Sequence, residues 1–106
     1  MSAPFDFEVY FGRQVTWSAR AFGTAPRLLG LIAHIRKECD ELESDPSDIE
    51  EVCDVIILAL ELAWRSGHTF DQLAAALEAK QAKNRARSWP PLGTVPEHLP
   101  IEHLGG

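Results

Sequence analysis

Apolar residues recur at spacings of three and four along most of this chain, which is the period of an α-helix. No stretch alternates apolar and polar residues as a half-buried strand would. The pattern predicts an all-α protein whose four helices span about 5–22, 26–43, 48–66 and 70–87. The clearest apolar stripe lies on the second helix, at Leu28, Ile32, Ile35, Cys39 and Leu42.

Residues that favour helix ends separate these segments. A glycine, Gly67, is the predicted C-terminal stop of the third helix. Each of the last three helices is preceded by a residue that can cap its N-terminus. These capping signals are Thr24 before helix two, Ser47 with Glu50 before helix three, and Thr69 with Gln72 before helix four.

The third predicted helix is apolar almost all round from Val52 to Leu60. A helix of this kind must be covered on several sides, which a small four-helix bundle cannot easily do alone. We therefore expect a homo-oligomer, with a tetramer built as a dimer of dimers as the expected assembly.

The C-terminal part of the chain contains four prolines, Pro90, Pro91, Pro96 and Pro100. This part cannot be helical throughout, so we expect an extended tail that lies on the body or on a partner. The chain is expected to be one domain over 1–106, with a helical body at about 5–88 and the tail at about 89–106.

The net charge of −6 argues against general binding of nucleic acid. Glu61 and Arg65 interrupt the longest apolar run, so no membrane span is expected. The N-terminus has no basic region followed by an apolar stretch, which predicts a cytosolic protein. The cysteines, Cys39 and Cys53, are too few for a disulfide scaffold and are expected to be reduced and buried.

Acidic residues crowd the middle of the chain, where nine of them and no Lys or Arg lie between Glu38 and Asp54. Glu38 with Glu41, and Glu51 with Asp54, form two pairs three residues apart, so each pair shares a helix face. A short turn joins the two helices, which should bring the pairs to the same height. Such a cluster of oxygen ligands suits Mg²⁺ or Mn²⁺.

An ion pair or a calcium-binding EF-hand could also account for acids in this part of the chain. Asp54 lies in an apolar run and could pair with a cation such as Arg36. An EF-hand needs a central glycine in its loop, and no glycine lies between Gly30 and Gly67. The EF-hand is therefore rejected, and the ion pair stays as the alternative to the Mg²⁺ or Mn²⁺ site.

A basic stripe follows on the fourth helix, where Lys80, Asn84 and Arg87 are spaced by four and three, with Lys83 beside them. Two cations and an amide on one face suit phosphate oxygens. The alternative is a basic helix end that complements the helix dipole. Together with a metal site, the stripe favours binding of a metal–polyphosphate complex.

These motifs resemble a known family. The order Glu-x-x-Glu, Glu-x-x-Asp and Lys-x-x-x-Asn-x-x-Arg is similar to that of the all-α MazG-type nucleoside triphosphate pyrophosphohydrolases. The closer resemblance is to their phage-associated dATP/dGTP diphosphohydrolase (MazZ-like) branch, through the stretches Arg13–Ser18, His34–Glu38 and Ala79–Asn84. Two departures from the broad family are Lys37 in place of a glutamate and a short gap between Glu41 and Glu51.

The resemblance implies a Mg²⁺- or Mn²⁺-dependent hydrolase that converts purine deoxynucleoside triphosphates, dGTP and dATP, into the monophosphate and pyrophosphate. It also implies a role in nucleotide supply for phage DNA synthesis. Glu41 or Glu38 would then accept the proton of the attacking water, and the metal would be held by the four acids of the two pairs.

Recognition of the base has several candidates. Trp17 and Phe11 can stack on a purine, and Gln14 or Ser18 can contact its edge. His34 lies one turn before Glu38 and is a candidate for substrate contact. Trp17 as a core residue and His34 at a subunit contact are equally open.

Two other functions remain open from the sequence. One is a house-cleaning hydrolase of non-standard nucleotides. The other is a non-catalytic helical module that senses nucleotide or binds a partner through its apolar helix.

Overall fold

The computed structural model describes residues 4–105, which contain four α-helices. The prediction of an all-α protein is confirmed, and the predicted helix bounds agree to within about two residues. The helices are α1 (Phe7–Phe22), α2 (Leu28–Ser44), α3 (Ile49–Arg65) and α4 (Phe70–Ala86).

The chain divides into two compact units at the bond between Leu73 and Ala74. The first unit contains α1, α2, α3 and the first turn of α4, and within it α3 packs against both α2 and α1. The second unit contains the rest of α4 and the C-terminal segment. The acidic pairs therefore lie on two helices of the first unit that pack directly on each other.

The core of the described residues is small. Phe11, Leu58 and Leu60 are the buried apolar side chains within residues 4–105. The Phe11 ring packs on Phe70, with the ring centroids 5.8 Å apart. Much of the apolar surface of α1, α2 and α3 is thus exposed in the single chain, with Val9, Trp17, Leu29, Ile49 and Ile56 at least half-exposed.

Two of the predicted helix-end signals are confirmed. The Thr69 backbone N–H donates to Gln72 Oε1 at 3.0 Å, and the Gln72 N–H donates to Thr69 Oγ1 at 3.2 Å, which is a complete capping box before α4. Gly67 adopts a φ of 96° after the end of α3, and its N–H donates to the Trp64 carbonyl. A glycine suits this position because side chains make positive φ unfavourable.

Two predicted caps are wrong. The cap of α3 is Asp48, whose carboxylate accepts from the Glu50 N–H at 3.0 Å, because the Ser47 hydroxyl is used by Asp45 at 3.2 Å. Helix α2 does not start after Thr24. It begins at Leu28 behind Arg27, whose backbone is left-handed (φ 47°, ψ 37°) and whose side chain makes no capping hydrogen bond.

The prediction that both cysteines are buried is also wrong, because Cys39 and Cys53 are exposed free thiols. Cys39 directly follows Glu38 in the chain, and Cys53 directly precedes Asp54; both acids are candidate metal ligands. A step of one residue turns a helical side chain by about 100°. In the single chain, each thiol is therefore on a different side of its helix from the neighbouring acid and is exposed.

The segment after α4 folds back on the end of that helix. The Leu104 N–H donates to the Ser88 carbonyl at 2.7 Å, forming an isolated antiparallel bridge. The Asn84 carbonyl accepts from the Trp89 indole N–H at 2.8 Å and from the Arg87 backbone N–H at 3.3 Å.

Within residues 4–105, the helices are too short or too polar for a membrane crossing.

Candidate active site

Three carboxylates converge where the last turns of α2 face the first turns of α3. Glu38, Glu41 and Glu51 each offer an oxygen, and these three oxygens lie within 4.8 Å of one another. Glu38 is buried, Glu51 is half-buried and Glu41 is exposed. The spacing of three on α2 and the short turn to α3 therefore bring the predicted acids together.

Two oxygens of this acidic cluster (Glu38, Glu41 and Glu51) have no partner. Glu38 Oε2 and Glu51 Oε2 are buried and accept no hydrogen bond. A desolvated carboxylate oxygen without a partner is costly, and native proteins rarely leave one. A divalent cation would satisfy both oxygens, so the residues present fit a hard metal ion that prefers oxygen ligands.

His34 orients the deepest member of the acidic cluster. Its Nε2 lies 3.1 Å from Glu38 Oε1, one helical turn away on α2. The histidine is thus in contact with Oε1 of Glu38, whereas Oε2 is the oxygen without a partner. Such a contact fixes the rotamer of a metal-ligating carboxylate.

The pKa values of two members of the acidic cluster, Glu51 and Glu38, are shifted in opposite directions. Burial raises the pKa of Glu51, and so do the nearby carboxylates, Glu38 foremost. Burial also acts to raise the pKa of Glu38, but interactions with the neighbouring Glu41, Glu51 and His34 side chains outweigh burial and lower this pKa. Without metal, Glu51 therefore takes up a proton before Glu38 does as the pH falls.

We expect Glu51→Gln to stabilise the metal-free protein at neutral pH. Since the folded-state pKa of Glu51 lies above its usual 4.5, its stabilising effect is complete only below 4.5 and is lost as the pH rises through the folded-state pKa. The variant removes the repulsion that appears above that pH. Urea unfolding in EDTA should show a higher midpoint than wild type at pH 7.5 and no difference near pH 4.

The matched control is Glu50→Gln, which removes an exposed acid from the same first turn of α3. It should lower stability slightly at pH 7.5 by weakening the favourable interaction with the helix dipole. A Glu51→Gln variant that is no more stable than wild type at pH 7.5 would contradict the repulsion described for the acidic cluster.

Asp54, the fourth predicted ligand, lies one turn beyond Glu51 on α3. It is exposed and lines a cavity together with Glu38, but it is not within the group of three converging oxygens. Its predicted alternative, an ion pair with Arg36, is absent among residues 4–105, where Glu38 and Glu61 are the carboxylates in ion pairs.

A cavity of about 410 Å³ extends from the acidic cluster along the groove formed by α1, α2 and α3. Its acidic end contains Glu38 and Asp54, and its walls are mainly apolar. This size and composition are typical of sites for small organic ligands. Side chains of the walls include Trp17, Phe22, Leu31, Ile57 and Leu58.

Of the residues predicted to contact the base, the structure places Trp17, Gln14 and His34 on this cavity. Trp17 is 58% exposed and packs edge-on against Phe22, with the ring centroids 5.4 Å apart, so the core alternative for Trp17 is wrong. Phe11 does not line the cavity. It is buried against Phe70, which leaves little of its ring for a base.

Arg27 and Arg65 also line the cavity and were missed by the sequence analysis. Arg65 is buried and forms an ion pair with Glu61 at 2.8 Å, four residues earlier on α3. That spacing was a usable signal for the pair. Nothing local indicated that Arg65 Nη1 donates to the Ala25 carbonyl at 2.7 Å, forty residues away.

The residues predicted to bind phosphate lie on α4. Asn84 Oδ1 accepts from Arg87 Nη1 at 3.2 Å, so the amide and the guanidinium are neighbours on one face. Both side chains are half-buried, whereas Lys80 and Lys83 are exposed. Their role in phosphate binding stays a prediction.

Comparison with known proteins gives a consistent assignment. The sequence model of the dATP/dGTP pyrophosphohydrolase family matches residues 11–105, nearly the whole chain. The chain belongs to this family. Among curated proteins, none matches.

A solved structure is similar along the whole chain. It is the cyanophage S-2L MazG-like pyrophosphohydrolase bound to dGDP and three catalytic Mn²⁺ ions per active site. The two proteins are 31% identical, with a TM-score of 0.73, and the match covers 96% of this chain and all of that one. The predicted MazG-type family, the all-α fold and the pyrophosphohydrolase class are confirmed, so the non-catalytic module is excluded.

Proposed function

We propose that this dATP/dGTP pyrophosphohydrolase family member cleaves its substrate at the acidic cluster on α2 and α3. The observation that supports this most directly is the pair of buried, unpartnered oxygens on Glu38 and Glu51. Purine deoxynucleoside triphosphates are the substrates, and the products are the monophosphate and pyrophosphate. The dGDP and Mn²⁺ in the phage relative support both the substrate class and the metal requirement.

The metal ions, Mg²⁺ or Mn²⁺, would be held by Glu38, Glu41, Glu51 and Asp54. Bound there, they supply charge neutralisation of the triphosphate and polarisation of its phosphoryl oxygens. Glu38 and Glu51 are the buried members of this set and would fix the ions, with His34 holding the Glu38 rotamer.

The more exposed acids have the freedom that proton transfer needs. Glu41 is exposed beside the two buried carboxylates, so it can reach a water molecule at the α-phosphorus and accept its proton. Glu38 is the second candidate for this role. From their spacing in the sequence, the proposed phosphate-binding residues are Lys80, Lys83, Asn84 and Arg87.

The nucleoside would lie in the apolar cavity that begins at Glu38 and Asp54. Trp17 offers an exposed ring for stacking on the base. Phe11, which is buried against Phe70, would stabilise the packing of α1 and would not contact the base.

The single chain leaves apolar residues of α1, α2 and α3 exposed, and this supports the predicted homo-oligomer. A tetramer arranged as a dimer of dimers would cover α3 on the sides that the single chain leaves open. Light scattering tests this assembly, for which the expected molar mass is four times the 11.8 kDa of the chain. A mass of 11.8 kDa across the working concentration range would contradict it.

Release of pyrophosphate from each deoxynucleoside triphosphate tests the proposed function. We expect turnover of dATP or dGTP with Mg²⁺ or Mn²⁺, at least about tenfold above dCTP and dTTP, and no turnover in EDTA. A preference for non-standard over canonical purines would support the house-cleaning alternative. Release of inorganic phosphate instead of pyrophosphate would contradict cleavage between the α and β phosphates.

A further inference from the structure

Glu61 is a buried carboxylate with no part in the proposed hydrolysis, yet it lies on the wall of the substrate cavity. Both oxygens of its side chain accept hydrogen bonds. Oε2 accepts from Ser18 Oγ at 2.9 Å, from Trp64 Nε1 at 3.0 Å and from Arg65 Nε at 2.8 Å. Oε1 accepts from Gln14 Nε2 at 2.8 Å.

The charge of Glu61 is stabilised by this arrangement. Burial acts to raise the pKa of the Glu61 carboxyl, but the donated hydrogen bonds, led by that of Gln14, outweigh burial and lower the pKa. The carboxylate is therefore ionised at neutral pH and can only accept hydrogen bonds. The ion-pair partner of Glu61 is Arg65 of the same chain.

This fixes the orientation of the Gln14 amide. A carboxylate oxygen repels a carbonyl oxygen, so the Gln14 side chain must present its nitrogen to Glu61. Gln14 Oε1 then faces away from Glu61 and accepts no hydrogen bond from residues 4–105. Gln14 is half-buried on the cavity wall, near the exposed ring of Trp17.

Ser18 cannot share this role, although the sequence made it an equal candidate. It is fully buried, donates to Glu61 and accepts from Arg65 Nη2 at 2.9 Å. Of the two polar residues proposed to contact the purine edge, only Gln14 retains a free group.

We propose that Gln14 Oε1 accepts a hydrogen bond from the exocyclic amino group of the purine, and that Glu61 is the positioning residue that turns this oxygen towards the base. The inference rests on the proposed function. Adenine has its exocyclic amine at C6 and guanine has its own at C2, so a fixed acceptor on the wall suits one of these amines for a given orientation of the base. Arg65 supports the arrangement by keeping Glu61 charged and in place.

Two pairs of substrates that differ in the amine provide the test. They are dATP against 2′-deoxynebularine triphosphate, and dGTP against dITP. We expect wild type to favour the amino-bearing member by about tenfold in kcat/KM in at least one pair, the size of effect of one hydrogen bond. The difference should lie mainly in KM, because the base is remote from the reacting phosphorus.

Gln14→Leu should reduce this discrimination ratio to about one. The matched control is Ser18→Ala, which removes another hydrogen bond to Glu61 without freeing Gln14. This control should keep the wild-type ratio.

Glu61→Gln tests the positioning role. Three donors hold the Oε2 side of residue 61, so the new amide should keep its oxygen there and turn its nitrogen towards Gln14. Gln14 must then reverse and present its own nitrogen to the cavity, so the ratio should fall to one or below. Glu61→Gln leaves the buried Arg65 without a carboxylate partner. The double variant Glu61→Met/Arg65→Met removes both charges of this ion pair, and its discrimination ratio should also fall.

Different outcomes test the role of Gln14, the role of Glu61 and the proposed function. A ratio of one in wild type, or an unchanged ratio in Gln14→Leu, would overturn the role of Gln14. An unchanged ratio in folded Glu61→Gln or in the double methionine variant would overturn the role of Glu61. Absence of hydrolysis of all four nucleotides by wild type with Mn²⁺ would overturn the proposed function, and this inference with it.

Discussion

Replacing Glu41 by Gln, or Asp54 by Asn, should reduce kcat/KM for the preferred purine triphosphate by on the order of a thousandfold or more, while the protein stays folded. Losses of this size are expected because each residue is a proposed ligand of the metal that stabilises transition-state charge, and Glu41 is also the proposed proton acceptor. Both side chains are exposed and neither bears the unpartnered oxygens of the acidic cluster, so their loss should cost little stability. Pyrophosphate release under saturating Mn²⁺ measures the effect.

Matched controls exist for both variants. Glu43→Gln and Asp40→Asn make the same chemical changes at exposed positions on α2 and should leave activity within about twofold. Asp48 is a poorer control, because it caps α3. Near-wild-type activity in Glu41→Gln or Asp54→Asn would remove that residue from the proposed metal site.

Arg65→Met should destabilise the fold by about 3–5 kcal/mol, the usual effect of leaving one member of a buried ion pair without its partner. Arg65 and Glu61 are both buried, with 3% and 7% of their side chains exposed. Arg65 also donates to Ser18 on α1 and to the Ala25 carbonyl between α1 and α2, so three parts of the chain lose contacts. Urea unfolding at pH 7.5 measures the change.

The comparison variant is Arg20→Met, which removes an exposed arginine from the last turn of α1 and should change stability by less than about 1 kcal/mol. If Arg65→Met were as stable as Arg20→Met, the contacts of Arg65 with Glu61, Ser18 and Ala25 would not stabilise the fold as described.

The sequence predicted the acidic cluster because the information needed for it is local. The spacing of Glu38 and Glu41 places both on one face of α2, and the short turn before α3 fixes where Glu51 must lie. The capping box at Thr69 and Gln72 was equally local. Each of these features depends on residues less than about one helix length apart.

Two kinds of feature could not be predicted: contacts between residues far apart in the sequence, and hydrogen bonds for which neighbouring side chains compete. Gln14 and Glu61 are 47 residues apart, and no periodic pattern links them. Ser47 was a reasonable cap by composition, but Asp45 competes for its hydroxyl and Asp48 takes its place. Cys39 and Cys53 were expected in the core because their residue type is often buried, whereas the single chain leaves them exposed.

The proposed function depends on Glu38, Glu41, Glu51 and Asp54 being the ligands of divalent metal. Anomalous diffraction at the manganese edge from crystals soaked in MnCl₂ tests this most directly. We predict at least one Mn²⁺ peak about 2.1 Å from Glu38 Oε2 or Glu51 Oε2, the distance expected for a hard cation and a carboxylate oxygen. A strong peak elsewhere on the protein, with none among these four carboxylates, would contradict it.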